Sequence, residues 1–210
     1  MKLGKLAVAL AATVVMGSAH ASLFDRGGGL IYDDVLNVTW LQDANYAATS
    51  GYASGGRMTW SAALTWAGNL DYGGFSDWRL PKTFIPDSTC SSTDQTNGYG
   101  CRAGELGHIY TELGGSTGPL ASSGMLLNIQ PSFYWFSTLS PIHPGPFTYR
   151  FDLGVQDASN NPDSNYYAWA VRDGDVAVSP VPAPPAALLM LTGLGVLGLT
   201  KRFRKADKEA

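Results

Sequence analysis

The chain is short of what catalysis and nucleic-acid binding require. Among 210 residues there are two cysteines and three histidines. His20 lies in an N-terminal apolar leader, His108 falls in a predicted helix and His143 stands between prolines, so no two sit at metal-ligand spacing. Cys90 and Cys101 do not form a Cys-x-x-Cys, which removes the common zinc and redox motifs. Nor does the sequence set a base beside a nucleophile. Positive charge is scarce too. Between Ser22 and Pro180 only Arg26, Arg57, Arg79, Lys82, Arg102, Arg150 and Arg172 are basic, against fifteen acidic residues, a net charge of −8. Nucleic acid and anionic lipid are bound mainly through Lys and Arg, so this body suits neither. It also repels a strongly anionic polysaccharide unless cations intervene.

Glutamate is equally sparse. Glu105 and Glu112 are the only two in the body, and seven residues apart on one helix they stand about 10 Å from each other. A secreted glycan-active hydrolase, with two carboxylates flanking a cleft, is the alternative against which the main reading is weighed. Two familiar patterns carry nothing. Gly114-Gly115-Ser116-Thr117-Gly118 spells a nucleophile elbow, but a helix precedes it where a strand is needed. Gly193-Leu194-Gly195-Val196-Leu197-Gly198 spells a dinucleotide loop inside an apolar run, where glycines serve close helix packing.

What the chain does have begins with its two ends. Lys2 and Lys5 precede the apolar run Leu6 to Met16, and Ala19-His20-Ala21 is a small-x-small cleavage site, so residues 1–21 read as a signal peptide. At the other end Val181-Pro182-Ala183-Pro184-Pro185 leads into an apolar stretch from Ala186 to Thr200 and then Lys201-Arg202-Phe203-Arg204-Lys205. A bilayer core about 30 Å thick wants roughly 20 helical residues, so this is a short membrane-spanning helix. The positive-inside bias keeps its basic end cytoplasmic and the body outside. Residues 181–210 resemble a PEP-CTERM sorting signal, with Val181-Pro182-Ala183-Pro184 in the place of Pro-Glu-Pro. The resemblance implies that an exosortase is a partner. It also implies anchoring at the periplasmic side of the inner membrane, then transfer to the cell surface or extracellular matrix of a Gram-negative bacterium that makes exopolysaccharide.

Residues 22–180 are long enough for one domain with a real core. Leu30-Ile31-Tyr32 and Leu36 to Leu41 read as strands around a turn at Asp33-Asp34-Val35, and Tyr46 to Gly56 as a loop. Thr59 is placed to cap a helix over residues 60–69, with Trp60, Ala63, Leu64 and Ala67 on one face. Leu106, Ile109, Tyr110 and Leu113 repeat the helical spacing, ended by Gly114-Gly115. Phe133 to Thr138 reads as a strand, as do Phe147 to Leu153 and Tyr167 to Val171, each in alternation. The expectation is an α+β fold, a single compact domain with a mainly antiparallel sheet and two helices.

Several motifs occur here in the order found in Lcl C-terminal-type domains: Thr39-Trp40-Leu41, Trp60-Ser61-Ala62-Ala63, Gly74-Phe75-Ser76-Asp77-Trp78-Arg79-Leu80-Pro81, Glu105-Leu106, Phe133 to Thr138 and Ala168 to Gly174. The body resembles that exported bacterial family from about Gly29 to Val176. The resemblance implies a fold similar to C-type-lectin-like domains and no assigned chemistry. One departure is about twenty extra residues between Thr83 and Ala103, which hold both cysteines. In an oxidising compartment Cys90 and Cys101 are expected to form a disulfide.

The candidate sites follow from side-chain type. Tyr46, Tyr52, Tyr72 and Tyr99 lie in predicted loops and are the candidate sugar-stacking rings. Asp157, Asn161 and Asp163, with Asn160 and Asn165, make an oxygen-rich loop of candidate calcium ligands. Asp77 and Arg79 share one face of an extended piece and are expected to bind local backbone, with Trp78 and Leu80 divided between core and turn. The functional expectation is a non-enzymatic surface or matrix protein, associated with exopolysaccharide or another envelope glycan and able to bind carbohydrate.

Overall fold

The computed structural model describes residues 23–115, 124–158 and 161–176. The expected leader 1–21 and sorting segment 181–210, with Val181, Pro182, Ala183 and Pro184, lie outside them. Among the described residues no helix is long and apolar enough to cross a membrane.

The fold is α+β and built on two sheets. The first joins β1 (Leu23–Gly27), β2 (Leu30–Asp33), β3 (Val38–Leu41) and β10 (Val171–Asp173), antiparallel throughout. The second has six strands in the order β4 (Arg57–Met58), β9 (Tyr166–Tyr167), β6 (Phe133–Leu139), β7 (Pro146–Arg150), β8 (Val155–Ala158) and β5 (Gly98–Tyr99). Only the β6–β9 pair is parallel. The expected single sheet is therefore two, because the alternation from Tyr167 to Val171 runs out of one sheet and into the other. Between them Ala168, Trp169 and Ala170 are all buried, which an extended strand in one half-exposed sheet would not allow.

The β2–β3 turn is held by the buried Asp33, whose Oδ1 accepts the amides of Val35 and Leu36 at 3.1 and 3.0 Å. Helix α2 (Trp60–Gly68) starts where Thr59 Oγ1 accepts the Ala62 amide. Helix α3 (Glu105–Glu112) carries an acid in its first turn, where the helix dipole favours it, and stops at Gly114 with φ +93°. The expected loop from Tyr46 to Gly56 contains a short helix, α1 (Tyr46–Thr49), and a 3-10 turn at Ser54–Gly56. Asp43 makes it by taking the Asn45 amide and the Thr49 hydroxyl.

Aromatic rings fill the core. Trp40, Tyr134, Trp135, Phe136, Phe147, Tyr149, Phe151 and Trp169 are fully buried, with Trp40 and Trp169 4.8 Å apart between ring centres. Two of the indoles are satisfied by backbone: Trp135 Nε1 donates to Met58 O at 2.9 Å and Trp169 Nε1 to Leu41 O at 2.7 Å, whereas Trp40 Nε1 has no hydrogen-bond partner among the described residues. Strand β7 is interior to its sheet, so Thr148, opposite Trp135, is buried along with Phe147 and Tyr149 on the other face.

Candidate functional site

The four candidate tyrosines do not converge. Tyr46 and Tyr52 line one cleft of about 320 Å³ with Ser50, Trp66, Asn69 and Asp71. Helix α1 sets Tyr46 at one wall, the following turn sets Tyr52 at the mouth, and the C-terminal end of α2 supplies Trp66, Asn69 and Asp71. Tyr52 is 56% exposed and its ring lies 6.5 Å from that of Trp66. Tyr72 is half-buried behind Tyr46, 4.9 Å from it edge to face and 6.2 Å from Trp78. Burial, then the neighbouring Tyr46 and Asp43, push its phenol above the ordinary value. It is a packing residue. Tyr99 is 61% exposed and belongs to a separate cavity at the disulfide loop.

Sequence reasoning assigned Trp66 to its helix and did not pick out Asn69 or Asp71 as site residues. The available signal was position. The last turn of an amphipathic helix presents polar side chains beside the ring it buries, and Asn69 and Asp71 flank that end.

The expected disulfide is present, joining Cys90 to Cys101 with an S–S distance of 2.08 Å. Both cysteines are buried, and Asp87 beside them accepts the amides of Thr89 and Ala103 at 2.9 Å each. Asp87, Cys90 and Cys101 are the one group of three potential metal ligands from His, Cys, Asp and Glu among the described residues, and both its sulfurs are taken by each other. Of the candidate calcium ligands, Asp157 is exposed on β8, and Asn161 Oδ1 accepts the Asp163 amide at 2.9 Å within an exposed turn. Asn160 lies outside the described residues.

The expected local backbone bond is present once, from Arg79 Nη1 to Leu80 O at 3.1 Å, but the main partners of Asp77 and Arg79 are distant side chains. Asp77 accepts Arg172 Nε at 2.8 Å and Nη2 at 2.9 Å. Arg79 donates both terminal nitrogens to the buried Glu105, at 2.8 and 2.7 Å, and also pairs with Asp173. Burial would lower the Arg79 pKa, but the hydrogen bonds to Glu105 and Asp173 outweigh it and hold the guanidinium charged. The Arg79 hydrogen bond keeps Asp173 below the usual carboxylate range, and the Arg172 bond does the same for Asp77. Trp78 and Leu80 are both in the core, because the segment runs beside β10 through an Arg79–Val171 bridge. His108 Nε2 stands 3.4 Å from the buried Asp33 Oδ2.

Comparison with curated proteins gives no match, and comparison with solved structures gives none. The Lcl C-terminal domain profile matches residues 29–172, more than half of the chain. That span runs from the glycine turn before β2 to Arg172 in β10, and so takes in the six-stranded sheet, the first sheet without β1, the helices α1, α2 and α3 and the Asp77–Pro81 brace. By that match the chain belongs to the Lcl C-terminal domain family.

Proposed function

We propose that this is a non-enzymatic exported protein whose folded body binds a neutral glycan through the cleft between Tyr46, Tyr52 and Trp66. The carrying observation is the exposed Tyr52 ring at the mouth, with the Asn69 amide and the Asp71 carboxylate beside it. An aromatic face stacks on the apolar face of a pyranose while an amide and a carboxylate take its hydroxyls. Asp71 favours a neutral sugar over an acidic one at this place. A non-enzymatic role is supported by Glu105, whose carboxylate is consumed by Arg79 and by the Lys82 amide at 2.7 Å and is not free to move protons.

Delivery belongs to the same reading. The signal peptide exports the body, the apolar stretch 186–200 holds it at the periplasmic side of the inner membrane, and an exosortase acts near Val181–Pro184. The protein then joins exopolysaccharide at the surface or in the matrix. The fold is read as similar to C-type-lectin-like domains, supported by the pairing of the last strand, β10, with the early β3.

Binding of the full chain to the producer's own polysaccharide tests the site: Tyr52→Ala lowers it at least about tenfold, the loss expected when a stacked ring is removed. Unchanged binding removes the cleft from consideration. New reducing ends after incubation with that polysaccharide would favour the hydrolase instead. Fractionation of cells tests delivery, since full-length protein persisting in the inner membrane beside an active exosortase contradicts it.

A further inference from the structure

A second cavity, also about 320 Å³, opens where the disulfide loop meets the end of α3 and the β7–β8 turn. Tyr149 and Tyr110 are 1% and 7% exposed, their rings 5.6 Å apart, yet neither hydroxyl has a hydrogen-bond partner among the described residues. A buried phenol normally finds one, because leaving a donor unpaired costs about 1 to 3 kcal/mol. Both tyrosines line the cavity, and neither hydroxyl is sealed off from it. Two phenol hydroxyls that the protein does not engage are thus held at a cavity wall. Gly154 makes room for one of them, since a Cβ there would fall 2.8 Å from the Tyr110 hydroxyl.

The mouth supplies a ring and a charge. Tyr99, the most exposed of the four tyrosines singled out in the sequence, stands beside Arg102. Arg102 is exposed and gives its Nε to Gly100 O at 3.4 Å. In a body with twice as many acids as bases, the other guanidiniums are mostly claimed: Arg26 by Asp175, Arg79 by Glu105, Arg150 by Asp152 and Arg172 by Asp77. Among the described residues no carboxylate pairs with Arg102. Asp152, whose charge acts on the Tyr110 phenol, is itself paired with Arg150 at 2.6 Å.

We propose that this cavity is a subsite for a hexuronate residue, its pyranose ring against Tyr99, its hydroxyls on the Tyr110 and Tyr149 phenols and its carboxylate on Arg102. A planar guanidinium takes a carboxylate in two parallel bonds, and a charge-assisted pair is about twice as strong as a neutral one. The site is local, so it works against the repulsion of the −8 body and binds a single acidic residue within a mixed glycan better than a dense polyanion. It is built by the insert and by α3, independently of the Tyr52 cleft, and the two readings fail separately.

The probes are methyl glucuronide and its neutral counterpart methyl glucoside, titrated into the disulfide-bonded full chain and followed by NMR. The glucuronide binds at least about tenfold tighter, Arg102→Gln removes that preference, and Tyr149→Phe, which keeps the ring packed, weakens the glucuronide severalfold. Reducing Cys90–Cys101 abolishes glucuronide binding, whereas Tyr52→Ala leaves it intact. Equal binding of the two glycosides, a preference that survives Arg102→Gln, loss of glucuronide binding in Tyr52→Ala, or no glucuronide binding at tens of millimolar each overturn the proposal.

Discussion

Two stretches with little regular structure, residues 77–81 and 84–102, are fastened to the same domain by opposite means. The first is short and tied to distant parts of the chain. It buries Trp78 and Leu80, bridges to Val171 and sends Asp77 and Arg79 to partners on β10 and α3. The second is long and tied mostly to itself. Its Ser, Thr and Asp side chains close turns on neighbouring amides, Asp87 N donates to Gln95 O at 2.7 Å, and the disulfide draws its two limbs together. Its links to the sheet are few: the two-residue β5 on β8, and the buried Gln156, which accepts the Thr83 hydroxyl and donates to Thr96 O at 2.7 Å each. A segment held by long-range ties melts only with the domain, whereas one held by local ties can loosen alone.

The largest way to break that contrast is Trp78→Ala. Emptying a buried indole site costs about 3 to 5 kcal/mol, and denaturant unfolding of the whole domain registers it. Next comes Arg79→Met, which strands the buried Glu105 and costs about 3 kcal/mol. The double variant Arg79→Met, Glu105→Met recovers much of that loss, because no lone charge remains inside. If the single and double variants are equally unstable, the pair is not the brace described here.

Removing the disulfide with Cys90→Ser and Cys101→Ser costs about 2 to 3 kcal/mol by the chain-entropy argument. The loss is concentrated in hydrogen-exchange protection over 84–102, with the core amides keeping theirs. A uniform loss would erase the distinction between the two stretches. The smallest effect is Asp77→Asn, worth about 0.5 kcal/mol for an exposed pair with Arg172. Acid sharpens the point. Asp77 and Asp173 have folded-state values below their unfolded ones, so their contribution is complete above the ordinary carboxylate range and is lost as pH falls through the depressed values. The melting temperature of the wild type therefore drops between about pH 4 and pH 2 more steeply than that of Arg79→Met, which has already lost one partner.

Elements whose cause is local were readable from the sequence. Thr59 marks the start of α2, the apolar spacing from Leu106 to Leu113 gives α3, and two cysteines in an exported, polar stretch give the bridge. What failed was non-local. Strands of two residues, such as β4 and β5, leave no periodic signal and exist because a neighbour pairs with them. The carboxylates of Glu105 and Asp173 lie 26 and 94 residues from Arg79, beyond any spacing rule. The sites divide in the same way. Loop position correctly suggested that Tyr52 and Tyr99 are exposed, but α1 turns Tyr46 inward against Tyr72, and nothing in the chain's order says that Trp66 or Arg102 would stand beside the exposed rings.

The register of the first sheet has a mechanical consequence. Leu23 lies opposite Asp33, Asp33 opposite Val38, and Val38 opposite Asp173, so the start of β1 and the end of β10 share one end of the sheet, three strand spacings or about 14 Å apart. Under the proposed anchoring beyond Val176, flow past the domain would pull β10 along its own axis. Its pairs with Val38, Thr39 and Trp40 on one side and the Arg79–Val171 bridge on the other then carry the drag together, in shear, instead of parting one after another. The Asp77–Pro81 segment would thus be the second rail of the strand on which such a body hangs, and its ion pairs to Arg172 and Asp173 would resist the sliding of β10.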